Sequence, residues 1–477
     1  GANDGMVHGF NDDTGAEMLA YVPNAVYKNL SELSDVDYEH RYFVDGGPNV
    51  IDVFYNGAWH TVLAGGLGGG GQAIYALDVT NPANFDEANA SSIVLWEFDD
   101  TKDADLGYTY GKVQLARMND GTWAAVFGNG YNNTEADGNA SSTGHAVLYI
   151  VDVESGEILK KLDTEAGSVG TPNGLATPLL IDEGGDFTAD YIYAGDMLGN
   201  MWKFDVSDPN PANWDVAWDD GSPQPLFTTK ANQPITTQPQ ATFHPDNLAG
   251  FLIYFGTGQY LEETDNISSG QATQSFYGIW DKNTTSIPSI DPDTNLLLQY
   301  IMDQYDQSFD TNGDSIPDET FTLRDVSDNE INWASHLGFR LDLYPTFIEG
   351  SANADNFGER QVSNAIVRNG RIIFNTLVPS EVECAFGGTS FTMQLDFRDG
   401  SALEFPAFDV NGDGEYDADD TLASGFAADV GIMPTLSILA DGDQDVAFGS
   451  GASGDISIIQ ISVGDQNFGR QSWRQLE

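Results

Sequence analysis

The chain has 477 residues, enough for one large β domain or two or three ordinary ones with a substantial core. Its 74 acidic against 18 basic residues leave a net charge of −56, scattered rather than blocked. With 40% apolar and 12% aromatic residues, this reads as a folded protein with a solvated acidic surface. Such a field excludes nucleic acid and anionic lipid headgroups as partners and suits a salty or calcium-bearing medium, such as a marine or halophilic habitat. The lone Cys384 excludes an intramolecular disulfide framework and a cysteine-based zinc site. No run offers the ~20 apolar residues of a membrane span. The first residues, from Gly1, already lie inside a repeat pattern, so the expectation is a fragment whose front end, with any export signal, lies outside it.

In chain order, one short pattern recurs: an apolar β-rich run ending in Asp, then a turn. It occupies residues 6–15, 74–80, 148–156, 199–206, 276–281 and 391–397. Between the copies lie runs of β-branched and aromatic residues at 123–128, 191–195, 251–258 and 371–375. The spacing fits propeller blades of roughly 40–50 residues carrying insertions. The 52 glycines and 19 prolines supply the tight turns that radial sheets need, and helical periodicity is scarce. The prediction is an all-β propeller of six to seven blades, with residues 282–358 as a long insertion.

Two loops spell a calcium cradle. The first sets Asp310, Asn312, Asp314 and Asp318 at positions one, three, five and nine, with the Ile316 carbonyl at seven. The second sets Asp409, Asn411, Asp413 and Glu415 at one, three, five and seven. It closes with Asp417 at nine or Asp420 at twelve, and Gly414 holds the turn at six. Asp419 and Asp420 are placed to start a short helix, giving a half EF-hand resembling the dockerin type. Carboxylates this close repel one another, and a dication removes the conflict. A third loop keeps Asp182, Asp186 and Asp190 at one, five and nine and Thr188 at seven, but Gly184 stands where an oxygen ligand belongs. The acids of residues 441–445 read as a plain turn.

The glycine run at residues 63–71 lacks the Lys-Ser/Thr of a phosphate loop and precedes a strand, so it reads as close strand packing. The six histidines show no ligand spacing, and no Gly-x-Ser-x-Gly elbow supports a catalytic triad. Arg41 is expected to pair with Asp45 or Asp4 as scaffolding, and the tryptophans to wedge blades together or cover the core edge. The chain has no Arg-Gly-Asp tripeptide.

Several segments together carry a resemblance. They are Gly1-Ala-Asn-Asp-Gly-Met-Val-His-Gly-Phe10, Tyr38-Glu-His-Arg-Tyr-Phe-Val-Asp-Gly46, and the glycine run before Tyr75-Ala-Leu-Asp78. Tyr193-Ala-Gly-Asp-Met-Leu-Gly-Asn-Met-Trp-Lys-Phe-Asp205, Phe255-Gly-Thr-Gly-Gln-Tyr260 and Gly469-Arg-Gln-Ser-Trp-Arg474 continue it. Over nearly its whole length the chain resembles the C-terminal domain of the PilY family of type IV pilus biogenesis proteins. The resemblance implies a modified β-propeller of about seven blades, similar in shape to quinoprotein dehydrogenases, and a non-enzymatic role. Implied too are a place at the pilus tip or outer envelope reached through the periplasm, and work with major and minor pilins and the assembly machinery. Support of assembly and twitching motility, opposition to retraction, and adhesion to host or abiotic surfaces complete what it implies. The family's regulatory calcium loop maps onto Asp182, Gly184, Asp186, Thr188 and Asp190, where Gly184 removes one side-chain ligand. The competing functions are a periplasmic quinoprotein-type dehydrogenase, disfavoured because one cysteine cannot supply a vicinal pair, and a secreted carbohydrate-binding propeller.

Overall fold

The computed structural model describes residues 1–310, 317, 319–344, 357–382, 387–411, 413, 415–416, 419–428, 430–441 and 444–463. It comprises two compact units, one spanning Gly1–Pro225 and a second beginning at Leu226. Helix is confined, among the described residues, to two four-residue α-helices, Asn24–Tyr27 and Ala90–Ile93, and short 3-10 turns.

In the first unit Val7–Phe10 pairs with Glu17–Tyr21, and three antiparallel meanders follow. The first runs through Asn49–Tyr55, Ala58–Gly66, Ala73–Asp78 and Val94–Asp99. Gln114–Arg117, Trp123–Gly128, His145–Asp152 and Ile158–Gly167 form the next. Leu179–Ile181, Tyr191–Gly195, Asn200–Asp205 and Asp215–Val216 form the third. Each is a blade-like sheet in chain order. The strand His145–Asp152 is apolar almost throughout because both its faces are covered. Val147, Tyr149 and Val151 pack with Val62, Ile74 and Phe98 of the preceding sheet. Leu148 and Ile150 pack with Ile192, Trp202 and Phe204 of the following one.

The second unit joins Gln240–Phe243, Phe251–Gly256 and Ser275–Asp281 antiparallel, then takes Gly338–Asp342 as the next strand. Leu297–Phe309 runs parallel to that strand through Leu297–Tyr300 and antiparallel to Glu319–Val326. Beyond it lie Gly425–Ala428, Gly388–Asp396, Arg371–Asn375 and Ile366–Arg368. The described residues of 282–358 therefore contribute three strands to this sheet. A separate three-stranded sheet comprises Ser437–Asp441, Gln444–Ser450 and Ile456–Ser462.

The recurring Asp has a local cause. Asp78, Asp99, Asp205, Asp281 and Asp396 each end a strand and accept the backbone N–H two residues on, at 3.0, 3.1, 3.0, 2.8 and 2.7 Å. Asp152 takes the N–H of Ser155 at 2.8 Å. The carboxylate satisfies an amide that the ladder has released and bends the chain into the return turn. Two tight hairpins use Asn-Gly instead: Asn56 and Gly57 have φ of 51° and 78°, Asn369 and Gly370 of 48° and 81°. Positive φ at both central residues matches the right-handed twist of the strands they join.

The glycine run packs as its sequence predicts. A β-carbon on Gly70 would lie 1.7 Å from the Phe43 carbonyl oxygen, and one on Gly66 2.6 Å from that of Thr109. Trp96 and Trp280 cover core edges, each indole N–H reaching a backbone carbonyl at 2.9 Å. Arg41 differs from expectation. Its guanidinium meets Glu32 at 2.8 Å, whereas Asp4 faces His8 at 2.9 Å and Asp45 accepts the Gly69 N–H. The short turn Leu30–Ser34 brings Glu32 closer than either predicted partner.

Candidate metal centre

The loop at 182–190 connects Leu179–Ile181 to Tyr191–Gly195, and its carboxylates fold it from within. Asp182 accepts the N–H groups of Gly185 at 2.6 Å, Asp186 at 3.2 Å and Phe187 at 2.8 Å. Asp190 reaches back to the N–H groups of Glu183 at 2.8 Å and Gly184 at 3.2 Å. Both carboxylates converge on Gly184: a β-carbon there would lie 3.9 Å from Asp190 Oδ2 and 4.0 Å from Asp182 Oδ1. Gly185 at φ 72° and Phe187 at φ 68° make the turn. Phe187, which pays backbone strain as a non-glycine residue in the left-handed region, is 62% exposed.

Asp186 and Thr188 form a local pair, in which the Thr188 hydroxyl and amide both donate to Asp186 Oδ1, at 2.5 and 3.1 Å. Those bonds hold the Asp186 carboxyl below the usual carboxylate range. The Thr188 hydroxyl also donates to Asn119 Oδ1 at 3.1 Å. Asn119 Nδ2 in turn donates to the Ala189 carbonyl at 2.8 Å, Asp190 Oδ1 at 3.2 Å and the Val206 carbonyl at 3.2 Å. Asn119 thus clasps the loop from the hairpin of the neighbouring sheet. Nothing in the sequence marks it, since its partners lie far along the chain.

The loop at 409 leaves the bridge between Phe408 and Ile461. Asn411 and Asp413 face each other, with Asn411 Nδ2 at 3.1 Å from Asp413 Oδ2. The Asp413 N–H donates to Asn411 Oδ1 at 2.9 Å and the Glu415 N–H to Asp413 Oδ1 at 2.8 Å. Asp420, 5% exposed, accepts the Val410 N–H at 3.0 Å and so closes the loop through position twelve. Asp417 lies outside the described residues. Burial together with Asp409 and Asp420 pushes the Tyr416 phenol well up. The expected helix after Asp419 is not formed. The Ser424 N–H bonds to the Arg324 carbonyl at 2.7 Å, and the chain enters the strand Gly425–Ala428 instead. Pairing with Glu319–Val326 overrides the local start signal.

Asp310 follows the strand Leu297–Phe309, whose last residue pairs with Glu319. Asn312, Asp314, Ile316 and Asp318 lie outside the described residues, as does Cys384.

In kind, these donors fit a hard cation: alternating carboxylates and amides in tight loops. Among the described residues no group of three or more His, Cys, Asp or Glu side chains is gathered to hold a metal ion. An ion at 182–190 would draw on Asp182, Asp186 and Asp190, which now serve backbone amides, and would lack one side-chain oxygen at Gly184.

Meanders of this form define a β-propeller domain, and residues 1–313 match the family described as the PilY1 beta-propeller domain. The type IV pilus biogenesis factor PilY1 of Pseudomonas aeruginosa strain UCBPP-PA14 is 34% identical over 525 aligned residues, covering 100% of this chain and 42% of that protein. A PilY1 homolog of Xylella fastidiosa is 38% identical over 419 residues, covering 84% of this chain and 26% of that protein. The crystal structure of the Pseudomonas aeruginosa PilY1 C-terminal domain superposes with a TM-score of 0.78 at 31% identity, covering 97% of this chain and 92% of that one. The chain belongs to the PilY1 β-propeller domain family. It spans less than half the length of these two curated relatives, at 42% and 26%.

Proposed function

We propose that this chain is the non-enzymatic, calcium-responsive C-terminal module of a type IV pilus biogenesis factor. In that role it supports pilus assembly, opposes retraction and promotes surface attachment from the pilus tip. The observation that carries this is its likeness, end to end, to proteins named as pilus biogenesis factors and to their C-terminal domain. The partners are pilins and the assembly machinery, reached by export through the periplasm. No described helix is long and apolar enough to cross a membrane.

Calcium would tighten the aspartate loops and the strands they join. Bound at 100 times its dissociation constant, one ion adds about 2.7 kcal/mol to the folded state. Calorimetric titration and thermal melting, repeated on Asp186→Ala, Asp314→Ala and Asp413→Ala, test this directly. Calcium is expected to raise the melting temperature of the parent, and at least one substitution to abolish part of the rise. Identical melting of all four proteins with and without calcium ends the metal mechanism. The pilus role has its own test, deletion of the domain in its host. Surface pili should disappear and return when the retraction motor is also removed; unchanged piliation overturns the assignment.

A further inference from the structure

The first unit contains a cavity of about 460 Å³ that no part of the pilus reading uses. Its wall is formed by the segment 24–41, the turn after Ala58–Gly66, the residues following Val94–Asp99, and the loop at 135–139. The volume lies within the range of small-ligand sites. Its chemistry is unusual for one, because among the described lining residues Ala25 is the only aliphatic side chain. Amides from Asn24, Gln72 and Asn139 share the lining with four carboxylates, and Tyr27, also in the lining, is 71% exposed. Gln72 Nε2 reaches Glu135 Oε2 at 3.3 Å, which orients both groups in the wall.

Its apolar surface comes from the Tyr27 and Tyr108 rings and side-chain stems rather than from an aliphatic wall, so a purely apolar ligand would leave the amides and carboxylates unpaired. Anionic ligands meet an acidic wall on a molecule of net charge −56. Of the two bases in the lining, Arg41 is engaged by Glu32 at 2.8 Å, and Lys28 is outnumbered by Asp99, Asp100, Glu135 and Asp137. Burial and the neighbouring Asp137 push the Asp100 carboxyl up, and neither acid has a basic partner among the described ion pairs. What remains is a compact ligand rich in hydroxyl groups. Each hydroxyl both donates and accepts, and amides and carboxylates answer both demands. A tyrosine ring at the rim suits the C–H face of a pyranose.

We propose that this cavity binds a saccharide, through a neutral or amino-bearing pyranose rather than a uronic or sialic acid. The site gives surface attachment a chemical class, yet it stands apart from the aspartate loops and needs no calcium.

The test is a glycan array carrying neutral, amino-bearing and acidic glycans, probed with the whole chain in excess EDTA, followed by calorimetry on the strongest hit. Neutral or amino-bearing glycans are expected to bind. Tyr27→Ala and Asp137→Asn should each weaken the calorimetric affinity about tenfold or more, with an unchanged melting temperature. Tyr27 is exposed, so its loss should leave the fold intact. A blank array, preference for acidic glycans, or binding that survives both substitutions overturns the proposal. Because EDTA is present throughout, failure here is separate from failure of the calcium titration.

Discussion

Asp396 caps a turn by taking the Arg398 N–H at 2.7 Å, and burial pushes its carboxyl up to about 6. An unfolded aspartate titrates near 3.9, so the folded chain holds this proton more tightly than the unfolded one does. The stability linked to it is full below about pH 4 and is lost as pH rises through about 6. Asp396→Asn keeps an acceptor for the Arg398 amide but cannot ionise. The variant should match its parent at pH 4 and exceed it at pH 7.5 by about 1–3 kcal/mol, since the residue is only partly enclosed. Thermal melts of both proteins at the two pH values check this; parallel curves would show that water already solvates the carboxylate.

Elements were legible where their cause is local. The strand-ending aspartates act within two or three residues, so the sequence shows both their position and their purpose. Where a distant strand decides, local signals mislead: Asp419 and Asp420 look like a helix start, but Ser424 is bonded to Arg324. Candidate ligands were legible as spacing, whereas what braces them was not. Asn119 meets Thr188 and Asp190 across 69 and 71 residues of chain. It joins two sheets by four hydrogen bonds, so Asn119→Ala should cost about 1–3 kcal/mol and free the loop at 182–190. Amide exchange should then quicken at Gly185, Asp186 and Phe187 ahead of the sheet interiors. Unchanged exchange there would mean that Asp182 and Asp190 hold the loop unaided.

At the scale of the molecule, charge sets the terms. With 74 acidic groups against 18 basic ones, self-repulsion opposes the compact state. Part of that burden is put to use. Asp103 and Asp105 both hold Lys161, at 2.8 and 2.7 Å, and Glu359 holds the buried Arg324 at 2.6 Å. The remaining surface charge is screened as the Debye length falls from about 30 Å at 0.01 M salt to about 10 Å at 0.1 M. Melting temperature should therefore rise over that range and level off above it. A flat or falling curve would mean that ion pairs, which salt weakens, outweigh the repulsion.

The order of strands in the second unit also bears on how the chain is made. Ser275–Asp281 is buried along its entire length, and one of its two neighbours is Gly338–Asp342. During synthesis from the N-terminus, this apolar edge emerges long before the strand that covers it. Until then it is a template for any extended chain nearby. That edge needs shielding until the covering strand emerges, so the interval between the two strands is where a chaperone has most to offer.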